Sequence, residues 1–277
     1  DSGLPGVYLD MIGCGWGYNC YSSAHAHDPG GGCYQAEGYR ELLQAVHADN
    51  PGISLCTESC VEYAMDLFDS SIILASSYER MGGSFDVVPA FSAVYHGAMA
   101  LFGNFNHFDG TVPFDDNWPR EWRWKTEKPW HELYPLQFYA DFARTIIWGQ
   151  QPTVCNLKKK HTSEAEYREQ YEYMLSSARF YYENRRFLYD GVMLVPGTLF
   201  CDKVEVEFMI RSIFTPEDKM STRVHELPVI FHSCWQDPLS GEKKLILANY
   251  TGQEQEYNWN NVVKGTLPAR GWGVVSI

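Results

Sequence analysis

Val7-Tyr-Leu-Asp10-Met-Ile12 is a short apolar run carrying one carboxylate, and Ile53-Ser-Leu-Cys-Thr57, with Glu58 behind it, repeats the arrangement 48 residues after Asp10. Both runs read as buried strands, each delivering an acid at its C-terminal end. Between them lie a Gly-rich loop, Gly13 to Tyr34, and the stretch Glu37 to Ala48, in which Tyr39, Leu42, Leu43 and Val46 recur at helical spacing. Asn50-Pro-Gly52 ends that helix. Strand, loop, helix and strand together make a βαβ unit, the building block of a parallel α/β sheet.

The same alternation runs on to about Gly191. Cys60 to Phe68 reads as a second helix, and Val87 to Tyr95 as a further buried strand with His96 just beyond it. Asn104 to His131, rich in Trp, Pro and Asp, lacks periodicity and reads as a long loop. Leu133 to Arg144 is expected to be a helix feeding a last strand, Thr145-Ile-Ile-Trp-Gly149. Ser163 and Glu166 form a capping box opening a helix whose shared face is Tyr167, Tyr171, Met174, Leu175, Ala178 and Tyr182. From Met193 the pattern changes to short alternating runs, Val204 to Phe208, Val229 to His232, Lys244 to Asn249 and Trp272 to Ile277, with Asp237-Pro-Leu-Ser-Gly241 as a hairpin connection. The expectation is an α/β portion over 1–192 and an antiparallel β-sandwich over 193–277.

Composition narrows the function. The 277 residues are 45% hydrophobic and 21% charged, as in folded globular proteins. With 22 basic against 35 acidic residues, the formal charge of −13 argues against a phosphate-neutralising, nucleic-acid-binding surface. No run reaches the ~18 apolar residues of a membrane helix. Aromatics at 15% suit stacking on flat ligand faces, though large cores show the same excess. Eight cysteines occur without paired CxxC units, leaving free thiols and disulfides both open. Asn249-Tyr-Thr251 matches a glycosylation acceptor, a triplet common by chance. GxSxG, P-loop and Rossmann patterns are absent. Asp1 is neither an initiator Met nor the start of a signal segment, so further residues are expected to precede it, and the missing signal says nothing about compartment. The compartment is left open, with a secreted or periplasmic setting favoured over a cytoplasmic one.

Catalytic groups in α/β barrels collect at the C-terminal ends of the strands, where Asp10 and Glu58 stand. Two opposed carboxylates are what glycosidic-bond cleavage uses, one as acid and one as nucleophile or base, and neighbouring strands favour the narrow gap of a retaining enzyme. Capping of a helix N-terminus is the competing role for either acid. Glu62, about one helical turn beyond Glu58, competes for the acid role and otherwise serves substrate binding. Tyr8, Trp16, His25 and His27 are candidate sugar contacts on the strand and its Gly-rich loop. His25-Ala-His27 near Cys20 and Asp28 is also compatible with a metal site or a structural turn, although the spacing fits no standard zinc module. Tyr95, His96 and Trp148-Gly149 are candidate pocket walls. No cofactor is expected.

Gly6-Val-Tyr-Leu-Asp10-Met-Ile-Gly13, Cys20-Tyr, His25-Ala-His27-Asp-Pro-Gly-Gly-Gly32, Glu37-Gly-Tyr-Arg-Glu-Leu-Leu and Thr57-Glu58-Ser-Cys-Val-Glu62 together resemble a poorly characterised bacterial family of glycoside-hydrolase-like barrels. The likeness continues through Pro89 to His96 and on to Leu267-Pro-Ala-Arg-Gly-Trp272. That family is distantly similar to α-amylase-type and endo-α-N-acetylgalactosaminidase-type barrels. The resemblance implies that Asp10 lies on barrel strand four as nucleophile and Glu58 on strand five as general acid/base. It also implies that the chain is the C-terminal half of a (β/α)8 barrel, strands four to eight, followed by the sandwich. About 190 residues are too few for a whole barrel of about 250, so strands one to three are expected from a preceding segment or a second chain. The expected partner is a carbohydrate substrate. Alternatives are a non-catalytic carbohydrate-binding or structural barrel, and a metal-dependent hydrolase using His25 and His27.

Overall fold

The computed structural model describes residues 3–15, 17–59, 61–73, 88–103, 106–109, 121, 129–154, 157–210 and 219–277. Four parallel strands, β1 (Gly6–Tyr8), β2 (Ser54–Glu58), β3 (Ser70–Ile72) and β4 (Ala100–Phe102), lie side by side in chain order. A parallel bridge from Phe102 to Gln151 adds a fifth position at the β4 edge. Among the described residues, neighbours in space are neighbours in sequence, so the strand order does not reverse as it does at the switch point of a doubly wound sheet. Helix α1 (Tyr34–Asp49) connects β1 to β2 and sets Leu43 into a core with Leu55, Val61, Phe68 and Leu101. No helix among the described residues is long and apolar enough to cross a membrane.

Several expected elements take another form. The first strand stops at Tyr8; Leu9 N–H still bonds Cys56 O at 2.8 Å, and the chain then turns through Asp10 to Cys14. Only a 3₁₀ turn, Glu62–Leu67, replaces the helix expected from Cys60, which itself lies outside the described residues. The expected strand ending at Tyr95 is helix α2 (Ala90–Tyr95) from Ala90 onward, and Val87 lies outside the described residues. Pro89 decides the point, because proline removes a ladder donor inside a sheet and is tolerated where a helix begins. The sheet strand comes later, at β4.

After α3 (Trp130–Leu133), helix α4 (Gln137–Ile147) absorbs Thr145-Ile-Ile147, which was expected to be a strand. Every α4 residue is buried, and a helix enclosed on all sides reads as an apolar run whose period is obscured. Ser163 ends α5 (Lys159–Ser163) instead of capping the next helix. In α6 (Arg168–Glu183) the buried side is Gln170, Tyr173, Ser177 and Tyr181, while Leu175 and Tyr182 of the expected face are exposed. A short α7 (Arg185–Leu188) follows. The expected loop over 104–131 falls mostly outside the described residues, but Asn106 to Asp109 are buried.

The C-terminal part is antiparallel throughout. Strands β5 (Val192–Leu194), β6 (Leu199–Phe200), β7 (Lys203–Ile210), β8 (Ser221–Pro228), β9 (Ile230–Gln236), β10 (Lys243–Asn249), β11 (Gln255–Trp259), β12 (Val263–Leu267) and β13 (Trp272–Ser276) form three sheets, ordered β13-β10-β9-β5, β12-β11-β6 and β7-β8. Asp237 closes the β9–β10 hairpin by accepting from Leu239 N at 2.9 Å and Ser240 Oγ at 2.7 Å. Cys234, Leu245 and Leu247 of one sheet pack with Tyr257 and Leu267 of another. The largest core runs from Phe138, Phe142 and Ile146 of α4 and Tyr173 of α6 to Trp235 and Ile246 of β9 and β10. Asn249 is fully buried and donates to Gln253 O and Pro268 O, so the glycosylation triplet is an internal brace. Cysteines among the described residues are free thiols.

Candidate active site

The β1–β2 register, Gly6 opposite Ser54 and Tyr8 opposite Cys56, brings Asp10 and Glu58 together at the C-terminal edge of adjacent strands. The Tyr8 hydroxyl donates to Glu58 Oε2 at 2.6 Å and lies 3.3 Å from Asp10 Oδ1. A hydrogen bond also links the Glu58 and Asp10 carboxyls. It holds the Asp10 carboxyl below the ordinary aspartate range, helped by Tyr8 and the Met11 N–H against partial burial. Loss of water around the Tyr8 hydroxyl, then its bond to Glu58 and the two negative charges, push that phenol far above the tyrosine range, so it remains a donor at any physiological pH. Asp10 is exposed and Glu58 half-buried.

The backbone turns sharply after each acid. Met11 and Ser59, the next residues, both sit in the left-handed region at φ 66°, a conformation that costs of order 1–3 kcal/mol for a side-chain-bearing residue unless its surroundings enforce it. Here they do. Ser59 N–H bonds Ile72 O at 2.8 Å and Ser71 Oγ bonds Ser59 O at 2.7 Å. Tyr63 OH donates to Ile12 O at 2.6 Å, and buried Thr57 accepts from Gly13 N at 3.0 Å while donating to Leu9 O at 2.9 Å. A β-carbon on Gly13 would lie 2.1 Å from the Glu58 carbonyl oxygen, so only glycine allows this approach. Cys14 adds a thiol beside the acids. Burial, then the charges of Glu58 and Asp10, push it above the ordinary cysteine range and keep it protonated.

The remaining sequence candidates separate. The left-handed Ser59 prevents a helical turn from Glu58 to Glu62; Glu62 instead accepts a hydrogen bond from Tyr95, raising that hydroxyl above its ordinary range. His96 faces the interior, its ring centroid 4.7 Å from that of Trp235, with Nε2 buried and unpartnered among the described residues. Burial lowers it to about 4. Trp148 carries the Arg144 guanidinium 4.2 Å above its ring, and a β-carbon on Gly149 would strike Leu188, His96 and Trp235. His96 and Trp148-Gly149 are therefore packing at the junction with the antiparallel sheets, not pocket walls. Trp16 lies outside the described residues. His25 and His27 stand together in the β1–α1 loop beside Cys20.

One polar cluster was not foreseen. Asp109, 6% exposed, meets Lys160 Nζ at 2.5 Å, His161 Nε2 at 3.0 Å and Tyr167 OH at 3.0 Å. Burial pushes Asp109 up, but the bonds from Lys160, His161 and Tyr167 outweigh it and hold the carboxyl below the ordinary range. The only signal in the sequence is the cationic run Lys158-Lys-Lys160-His161, which needs an anion if any of it is buried.

Residues 1–107, which hold Asp10 and Glu58, match a family described as a domain of unknown function, DUF6259, in keeping with the resemblance to a poorly characterised, glycoside-hydrolase-like family. Particular relatives follow. A Bacteroides thetaiotaomicron protein named "Putative glycoside hydrolase" is 34% identical over 97 residues, 33% of this chain and 14% of that one. "Putative glycoside hydrolase 22789" of Monosiga brevicollis is 33% identical over 109 residues, 39% of this chain and 9% of that one. The chain thus matches only a small part of the length of these curated relatives. The crystal structure of an Anoxybacillus α-amylase aligns with 99% of this chain and 56% of its own at 10% identity and a TM-score of 0.39, a level that carries no argument about fold.

Proposed function

We propose that this chain carries the reaction centre of a retaining glycoside hydrolase, with Asp10 as nucleophile and Glu58 as general acid/base. The observation that carries the reading is the meeting of Asp10 and Glu58 on one Tyr8 hydroxyl at the ends of adjacent parallel strands. With the Tyr8 hydroxyl 2.6 Å from Glu58 Oε2 and 3.3 Å from Asp10 Oδ1, these two oxygens are at most about 5.9 Å apart, short of the roughly 6.5–9.5 Å that admits a water between the acids and compatible with the about 5–5.5 Å of double displacement. When a glycoside enters, its bridging oxygen accepts the Glu58 proton. The exposed Asp10 carboxylate attacks the anomeric carbon as the leaving group departs with that proton. Glu58, now ionised, takes a proton from water, whose oxygen displaces Asp10 and restores both groups. Tyr8 donates throughout and steadies charge on both carboxylates.

The proposal includes the architecture that would place this site. The four parallel strands and the Gln151 position would be strands four to eight of a (β/α)8 barrel over 1–192, completed by a preceding segment or a second chain, with the antiparallel strands of 193–277 as a β-sandwich. Tyr8, Glu62 and Tyr95 are the proposed sugar contacts, and the substrate is an oligo- or polysaccharide. The test is a glycan screen with the chain in its full-length context, read by released sugar. Asp10→Ala with added azide is expected to yield a glycosyl azide of inverted configuration, and Glu58→Ala one of retained configuration. Full hydrolysis by either variant, or glycan binding by wild type without released sugar, would overturn the reading, the latter in favour of a carbohydrate-binding role.

A further inference from the structure

We propose that Cys20, His25 and His27 form a zinc site that fastens the β1–α1 loop. The inference is independent of the glycosidase reading. Cys20 Sγ lies 3.0 Å from His25 Nδ1, which lies 3.3 Å from His27 Nε2, and all three donor atoms fall within 4.8 Å of one another. A tetrahedral zinc with Zn–N of about 2.0–2.1 Å and Zn–S of about 2.3 Å spaces its donors by about 3.3–3.6 Å. The Cys20–His25 and His25–His27 spacings are within about half an ångström of those values, and the third pair lies within 4.8 Å.

The surroundings prepare the donors. His27 Nδ1 is 2.9 Å from the Asp28 carbonyl oxygen; a carbonyl only accepts, so Nδ1 carries the hydrogen and Nε2 presents a bare lone pair to His25. A ligating histidine whose other nitrogen donates to a backbone carbonyl is the usual outer-shell arrangement of zinc sites. The His27 ring stacks on Tyr34, the first residue of α1, at 3.8 Å and 8°. Cys20 and Gly30 exchange both backbone hydrogen bonds, with Gly30 at φ 107°, so the three ligands sit inside a closed loop. His25 is exposed, leaving the fourth position for water. One thiolate and two imidazoles suit zinc, whereas calcium and magnesium take oxygen donors.

The chelator-treated protein is titrated with Co²⁺ and then Zn²⁺. One equivalent of Co²⁺ should produce a thiolate charge-transfer band and the strong visible absorption of a four-coordinate site, both bleached by Zn²⁺. Cys20→Ser should abolish the charge-transfer band, His25→Ala and His27→Ala should each weaken Zn²⁺ binding by at least tenfold, and Cys33→Ser should change nothing. X-ray absorption of the zinc-loaded wild type, which does not depend on any variant folding, should show one sulfur and two imidazole nitrogens. Backbone hydrogen exchange across residues 18–31 should slow on zinc binding. A charge-transfer band persisting in Cys20→Ser, an all-oxygen or multi-sulfur shell, no binding at all, or unchanged exchange on binding would overturn the proposal.

Discussion

Asp109 and Asp10 are the same side chain in opposite settings. Asp109 is buried and ringed by Lys160, His161 and Tyr167, so its oxygens are filled by donors and its negative charge is met by a lysine. Asp10 is exposed, and hydrogen bonds from Glu58, Tyr8 and Met11 hold it ionised. Both carboxyls lie below the ordinary range, so the direction of the shift does not distinguish them. What differs is the partner. Three donors from lysine, histidine and tyrosine fix the Asp109 carboxylate in place, whereas Asp10 beside a second acid keeps a face open to solvent.

Substitutions should separate the two. The largest effect is expected from Glu58→Gln, which removes the transferable proton; turnover of a glycoside should fall by roughly 10²–10⁴-fold with little change in the denaturation midpoint. A loss of folding without a loss of turnover per folded molecule would make the pair structural. Asp109→Ala should do the reverse. Leaving Lys160 and His161 without their anion costs about 3–5 kcal/mol, read from chemical denaturation. A cost under about 1 kcal/mol would class the cluster with surface pairs.

Acid titration adds a second axis. His96 is neutral in the fold, its ordinary value of 6.5 lowered to about 4. Its contribution to stability is therefore complete above 6.5 and is lost as pH falls from 6.5 to about 4, on the order of 3 kcal/mol. Asp109, lowered from 3.8, contributes stability that is present above 3.8 and lost as pH falls further, through its folded value. His96→Phe should flatten the upper part of the stability curve and leave the lower part, and Asp109→Asn should act on the lower part. A smaller effect is expected from Tyr8→Phe. Without its bond, Asp10 becomes harder to ionise, so the acid limb of the rate profile should move to higher pH; an unmoved limb would remove Tyr8 from the site.

Much of the site was legible because strand ends are. Asp10 and Glu58 close short apolar runs separated by a loop and a periodic helix, and parallel pairing leaves little choice but to bring them side by side. Their sharing of Tyr8 was not legible, because it depends on the β1–β2 register, and neither were the left-handed Met11 and Ser59. Thr145 to Ile147 misled because full enclosure in α4 erases the polar face that marks a helix. Asp109 stayed hidden because its partners arrive from Lys160, His161 and Tyr167, about fifty residues later, where only the final packing decides which of several lysines finds an anion.

The sequence by itself determined the parallel βαβ beginning, the antiparallel end and the two acids at neighbouring strand ends, because these follow from local periodicity and from where polar residues interrupt it. Only the tertiary structure decided that Glu58 and Asp10 meet on the Tyr8 hydroxyl, that the half-buried His96 ring lies against Trp235, and that Cys20, His25 and His27 converge. These are contacts between segments. Their distances depend on register, loop closure and burial, which exist only once the chain has packed.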